Sequence, residues 1–400
     1  MRKLSLAVIG MYLGILAAFS QTTKPSDTSY KSRTLSFEEA NFVSSYYTQN
    51  GNNSAVTGGI GSEKLTDLSN SIEIKLHKWD NKNRKHTYDF ELGVDHYTSA
   101  SSDMIDLKAN SSASHADTRI YPSANWTMEN ELKGNSVGAG LSLSNEFDYF
   151  SLGGNINFSK KTKNKSGEFS AKFFAYLDNV KLVYPLELRT NPSINQRGEQ
   201  YDNAARNTFG TSLSYTQIVN ERLQVAFLMD LIYQDGYLGL PFHRVYFTDN
   251  SEKVENLPGK RFKLPVGFRA NYFLGDNLIL RAYYRYYKDD WGLEAHTANL
   301  ETSVKISPFF SVTPFYRYYT QTAVNYFAAY QAHKTTDQYY TSNYDLSKFT
   351  SQMFGTGIRL TPANGVFGME HFNMLELRYG HYTKNNGMNS DIISLNLRFK

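Results

Sequence analysis

The 400-residue chain carries 42 Lys and Arg against 38 Asp and Glu, 15% aromatic residues dominated by 30 Tyr and 26 Phe, and no cysteine. Near-neutral charge gives nucleic acid no electrostatic footprint, and the lack of cysteine excludes disulfides, thiolate metal sites, cysteine nucleophiles and a lipidated N-terminal cysteine. The mean hydropathy is -0.49, and past residue 20 no stretch approaches the roughly twenty apolar residues of a spanning helix, so helical membrane topologies are excluded as well.

The chain opens with Met1-Arg2-Lys3, an apolar run from Leu4 to Phe19, and small residues ahead of Gln21. This reads as a secretory signal peptide over residues 1–20 with the mature domain over 21–400; the run is short for a membrane anchor and a polar stretch follows it. Beyond it, polar and apolar residues alternate in segment after segment, the period of a half-buried strand. Sixteen strands are expected, near residues 36–48, 69–78, 86–97, 118–129, 135–145, 148–160, 167–178, 206–219, 221–233, 260–273, 277–288, 292–306, 309–320, 348–360, 371–382 and 389–399. The first is the weakest, because residues 35–42 alternate poorly and also suit a short helix or a periplasmic segment. In the last, Ile393, Leu395, Leu397 and Phe399 share one face and Ile392, Ser394, Asn396 and Arg398 the other.

Apolar faces on so hydrophilic a chain cannot all meet in one ordinary core. A closed barrel in lipid, apolar outward and polar toward a wet interior, resolves the conflict. Connection lengths agree: tight turns near 80–85, 130–134, 161–166, 220, 275–277 and 307–308 alternate with long loops at 49–68, 98–117, 179–205, 234–259 and 321–347. Short upper connections near Glu146 and Asp289 break that alternation. The expected fold is an all-β, transmembrane, antiparallel up-and-down barrel of about sixteen strands in the Gram-negative outer membrane, with lipid and the barrel assembly machinery as its partners.

Three late strands carry related tails, Tyr283 to Tyr287, Phe315 to Tyr319 and Leu377 to Tyr379. Tyr284, Tyr286, Tyr316, Tyr318 and Tyr379 fall on the outward face, where an aromatic belt is expected, and Arg285, Arg317 and Arg378 inward. An internal repeat is the alternative, but the flanking residues do not repeat. Taking the polar face of each strand as luminal, Glu73, Asp89, Glu91 and Asp95, with Lys75 and His77, line the early strands. Arg261, Lys263, Arg269, Arg281, Arg285, Arg317, Arg359, Arg378 and Arg398, with few acids, line the later ones. Such a basic wall either favours anions in a pore or pairs internally to stay solvated.

Asp103, Asp106, His115 and Asp117 lie in one serine-rich loop, a candidate cation site that matches no calcium-loop spacing; plain loop chemistry or an inward-folded constriction are the alternatives. Gly58-Gly59-Ile60-Gly61 precedes no helix and reads as turns. No HExxH pair or GxSxG element occurs, so an enzyme is not expected, nor is a cofactor.

Three segments, Ala55 to Leu65, Leu92 to Asp103 and Ser111 to Pro122, resemble the bacterial family known as domain of unknown function 3570, over essentially the mature chain. The resemblance implies an outer-membrane-like barrel, mostly in Bacteroidota and some Proteobacteria, with no assigned activity. Family members are often encoded near flavin-transfer and thioredoxin-like proteins, which implies an extracytoplasmic redox setting and periplasmic redox proteins as partners. The function expected is passage of a small solute; docking or assembly with such redox proteins is the alternative.

Overall fold

A computed structural model describes residues 33–98, 116–189 and 201–400. The segment 1–20, expected as a leader, and the loop residues Asp103, Asp106 and His115 lie outside them. The strands are β1 (Ser36–Asn50), β2 (Leu65–Trp79), β3 (Lys85–Thr98), β4 (Ala116–Asn130), β5 (Asn135–Asn145), β6 (Tyr149–Lys161), β7 (Gly167–Lys181), β8 (Asn203–Asn220), β9 (Leu223–Gly236), β10 (Arg244–Tyr246), β11 (Glu252–Val254), β12 (Lys260–Leu274), β13 (Leu278–Asp289), β14 (Glu294–Ser307), β15 (Phe310–Gln321), β16 (Phe349–Leu360), β17 (Phe372–Lys384) and β18 (Asn389–Phe399). All but β10 and β11 pair in sequence order, and β1 closes on β18 with Phe42 opposite Leu397 and Ser45 opposite Ser394. The result is a closed antiparallel barrel of sixteen strands with no sheet edge left unpaired. Strands β10 and β11 form a separate hairpin inside the long β9–β12 connection.

Register fixes which residues face inward. Arg378 on β17 donates to Glu301 on β14 at 2.8 Å, across two intervening strands. Only the concave side of a closed sheet permits that contact, so the face of Glu301 and Arg378 is the interior. The opposite parity presents Phe90, Phe173, Leu300, Phe354 and Ile393 outward, all exposed, with Tyr284, Tyr316, Tyr318 and Tyr379 among them. An outward apolar band with tyrosines in it is what a bilayer requires of a barrel. Among the described residues no helix is long and apolar enough to cross a membrane.

The first strand alternates poorly for a local reason. A bulge between Phe37 and Glu39 shifts its register against β2, so one residue is gained and the face is reset. A second bulge, between Phe372 and Met374, does the same at the start of β17.

The last strand corrects one expectation. Leu397 and Phe399 do face outward, but they are buried rather than presented to lipid. The β16–β17 connection folds back over the outside of the barrel, and Val366 packs with Phe42, Phe372, Leu397 and Phe399. Short turns thus define one rim, where this apolar knot sits, and long loops define the other.

Candidate functional site: the lumen and its covered mouth

The later wall is not a bare arginine surface. Arg359 pairs with Glu376 at 2.5 Å, Glu376 reaches Arg378 at 3.2 Å, and Glu301 accepts from both Arg378 (2.8 Å) and Arg281 (2.6 Å). Farther along, Arg261 pairs with the buried carboxylate of Asp289 and stacks over Trp291. The expected poverty of acids on this wall is therefore corrected: Glu301, Glu376 and Asp289 interleave with the arginines, and each carboxylate lowers the cost of holding like charges together. Strand parity would have found all three.

Arg269, Arg285 and Arg317 remain without a carboxylate partner among the described residues. Arg269 lies 5.9 Å from the centre of the Tyr283 ring and Arg285 5.9 Å from that of Tyr287. Arg269, Tyr283, Asn299 and Arg317 occupy one cross-strand row through β12, β13, β14 and β15. With Asn271, Arg281 and Glu301 they line a cavity of ≈ 550 Å³. A second luminal cavity of ≈ 480 Å³ is bounded by Ser159, Glu168, Lys172, Ser214, Asp230 and Arg285.

The early strands form a separate polar wall. Lys75 bridges Glu39 at 3.0 Å and Asp89 at 3.8 Å, Glu73 accepts from Asn41, and Asp95 accepts from Ser69 at 2.6 Å and Tyr121 at 3.0 Å. Gly93 stands beside this last contact because a Cβ there would lie 2.0 Å from the Tyr121 ring. Strand β3, which carries Asp89, Glu91 and Asp95, is half the circumference away from β13. The structure thus brings Arg269, Arg281 and Arg317 together and keeps the three acids apart from them.

Asp117 is not open to a cation. It is buried at the start of β4, where its carboxylate accepts from the backbone N–H of Thr118 and of Phe147 and so fixes the β5–β6 turn. Among the described residues no cluster of three or more metal-type ligands occurs.

The loop rim is covered. The β1–β2 connection starts on the wall opposite the β9–β12 connection, yet the two meet: Arg244 donates to the Val56 carbonyl at 2.9 Å and pairs with Glu187 of the β7–β8 connection at 2.6 Å. The glycine run makes the approach possible, since a Cβ on Gly58 would strike the Tyr246 ring and one on Gly59 the Ser342 carbonyl, both at positive φ. Phe247 and Val245 are wholly buried against Tyr340 of the β15–β16 connection. Beneath them Glu255, buried, accepts from Thr341, from the Leu240 N–H at 2.9 Å, and faces His243 at 3.5 Å. Burial pushes the Glu255 carboxyl up, but the His243 charge and these donors more than offset it and hold it below the usual carboxylate range. No sequence period marks these contacts, because they lie in connections and most of them join loops from distant strands.

A closed sixteen-strand barrel, apolar outside, charged and cavity-bearing inside, with long loops at one rim, belongs to the class of outer-membrane barrels. The chain is a member of the family described as Protein of unknown function (DUF3570), whose model matches residues 83–397. No curated protein matches it. Among solved structures it is similar to a bacterial polysaccharide outer membrane secretin (10% identity, 90% of this chain and 98% of that one, TM-score 0.44). It is also similar to OpdK of Pseudomonas aeruginosa (8%, 92% and 99%, TM-score 0.41) and to a BenF-like porin from Pseudomonas fluorescens Pf-5 (8%, 92% and 100%, TM-score 0.41). At such scores nothing about a solute follows from them.

Proposed function

We propose that the protein is an outer-membrane pore for small solutes whose outer mouth is covered by its own loops. The observation that supports this best is the lumen itself: polar cavities of ≈ 480 and ≈ 550 Å³ lined by charged side chains, inside a barrel whose outer face is apolar. A barrel serving only as an anchor has no need of unpaired arginines facing its interior. Residues Asp89, Glu91, Asp95, Arg269, Arg281, Arg285, Arg317 and Arg378 line the path, and the cap of Val56, Arg244, Phe247 and Tyr340 limits access from outside.

The second reading is a barrel that docks extracytoplasmic redox partners, and the bridged mouth favours it. Liposome swelling separates the two. Vesicles carrying the purified barrel should admit small solutes and exclude large oligosaccharides; vesicles as tight as protein-free ones, with the cap intact or deleted, would leave the docking role.

A further inference from the structure

We infer that Arg269 and Arg317 form a binding site for a small organic monocarboxylate on the later wall of the lumen, an assignment that rests on the pore reading and names its solute. The two guanidiniums stand at the ends of one cross-strand row, with Tyr283 and Asn299 between them. Three strand spacings of about 4.8 Å separate their backbones, so side chains of arginine length converge over a solute of a few carbon atoms. Both are exposed to the lumen, and neither has a carboxylate partner among the described residues.

Pairing is available close by and does not reach them. Arg281 lines the same cavity, and it is neutralised by Glu301 at 2.6 Å, which Arg378 also holds. Among the described residues, carboxylates reach Arg281, Arg359 and Arg378 on this wall but not Arg285 or the two arginines of this row. An arginine presents a planar fork that matches a carboxylate with two parallel hydrogen bonds. Asn271 and Asn299 add neutral donors and acceptors, and the Tyr283 ring gives a carbon body an apolar face.

The same geometry disfavours more highly charged anions. Glu301 lines the cavity too, so a phosphate dianion meets a fixed negative charge that a monocarboxylate meets with half the repulsion.

Butyrate, titrated against the full barrel in detergent micelles and followed by saturation-transfer NMR, tests the site without requiring conduction. The wild type should bind saturably, and Arg269→Gln with Arg317→Gln should weaken binding at least about tenfold, as expected when charge-assisted hydrogen bonds are lost. Arg269→Lys, which keeps the charge and removes the fork, should fall between them. Lys172→Gln, in the other cavity, should bind as wild type does. Heat-shifted gel mobility checks that each variant is folded. Equal binding by the double variant, no saturable binding by the wild type, or competition by inorganic phosphate as strong as butyrate's own affinity would overturn the assignment. A barrel that binds butyrate but admits no solute would defeat the pore reading and leave the site standing; one that conducts without binding would do the reverse.

Discussion

The covered mouth and the arginine-lined lumen use charge in opposite ways. In the cap, Arg244 and Glu255 are buried among packed aromatic rings; Arg244 is matched by Val56 and Glu187 of other loops, and Glu255 by Thr341 of another loop and by Leu240 and His243 of its own. In the lumen, Arg269 and Arg317 are wet and have no ion-pair partner among the described residues, although Arg281 close by is paired. A buried charge that loses its partner destabilises its surroundings, whereas a wet one that is removed changes mainly the local field. The cap is therefore where structure is fragile, and the lumen is where function is tunable.

The largest effect should come from breaking the buried set. Glu255→Ala takes the acceptor from the Thr341 hydroxyl and the Leu240 N–H and the facing carboxylate from His243, at a cost of about 3–5 kcal/mol within the cap. Limited proteolysis should then cut within 237–259 or 322–348 while the barrel stays heat-modifiable on gels. Uncut loops would mean that the cap is held by its rings alone.

Acid should act next. The Glu255 carboxyl, held below its ordinary value near 4.5, contributes stability above that value and loses it as pH falls through the folded-state value. Asp148, in the β5–β6 turn, runs the other way, because burial and then the charges of Glu146 and Asp117 push it up to about 6. Its ionised form is the strained one, so that turn should tighten as pH falls through 6. Hydrogen exchange should show protection rising at residues 146–148 between pH 7 and 5, and falling in the cap only below the ordinary carboxylate value near 4.5. Simultaneous loosening of both regions would contradict the assignment.

Smaller effects are expected in the lumen. Glu301→Gln frees Arg281, leaves Arg378 held by Glu376 alone, and should raise anion over cation permeability by a few fold, read as a shift in reversal potential, with little change in barrel yield. Raising salt to 1 M should erase most of that gain, since the screening length falls to about 3 Å. A gain that survives high salt would point to a change in pore shape instead of field.

Much of this molecule was legible as sequence. Period-two alternation located all sixteen barrel strands, and parity put Arg285, Arg317 and Arg378 on the inner face and Tyr284, Tyr316 and Tyr379 on the outer. The first strand looked doubtful because a bulge between Phe37 and Glu39 breaks its alternation, and no residue type announces a bulge there. Ion pairing was harder: Glu301 and Arg378 are 77 residues apart, and they meet only because closure and strand tilt bring β14 and β17 across the same arc. Leu397 could be assigned outward from its period, yet its cover by Val366 depends on how one connection folds back. The cap was the least legible part, since Arg244 and Val56 sit on loops of opposite walls and each sequence alone reads as an ordinary turn-rich connection.

Single-channel recording in planar bilayers tests the central claim most directly. Wild-type barrel should give steps of low conductance, because the mouth is bridged, and Glu255→Ala should give larger and longer openings through the same anion-preferring lumen. Silence from both proteins, correctly folded and inserted, would contradict the account.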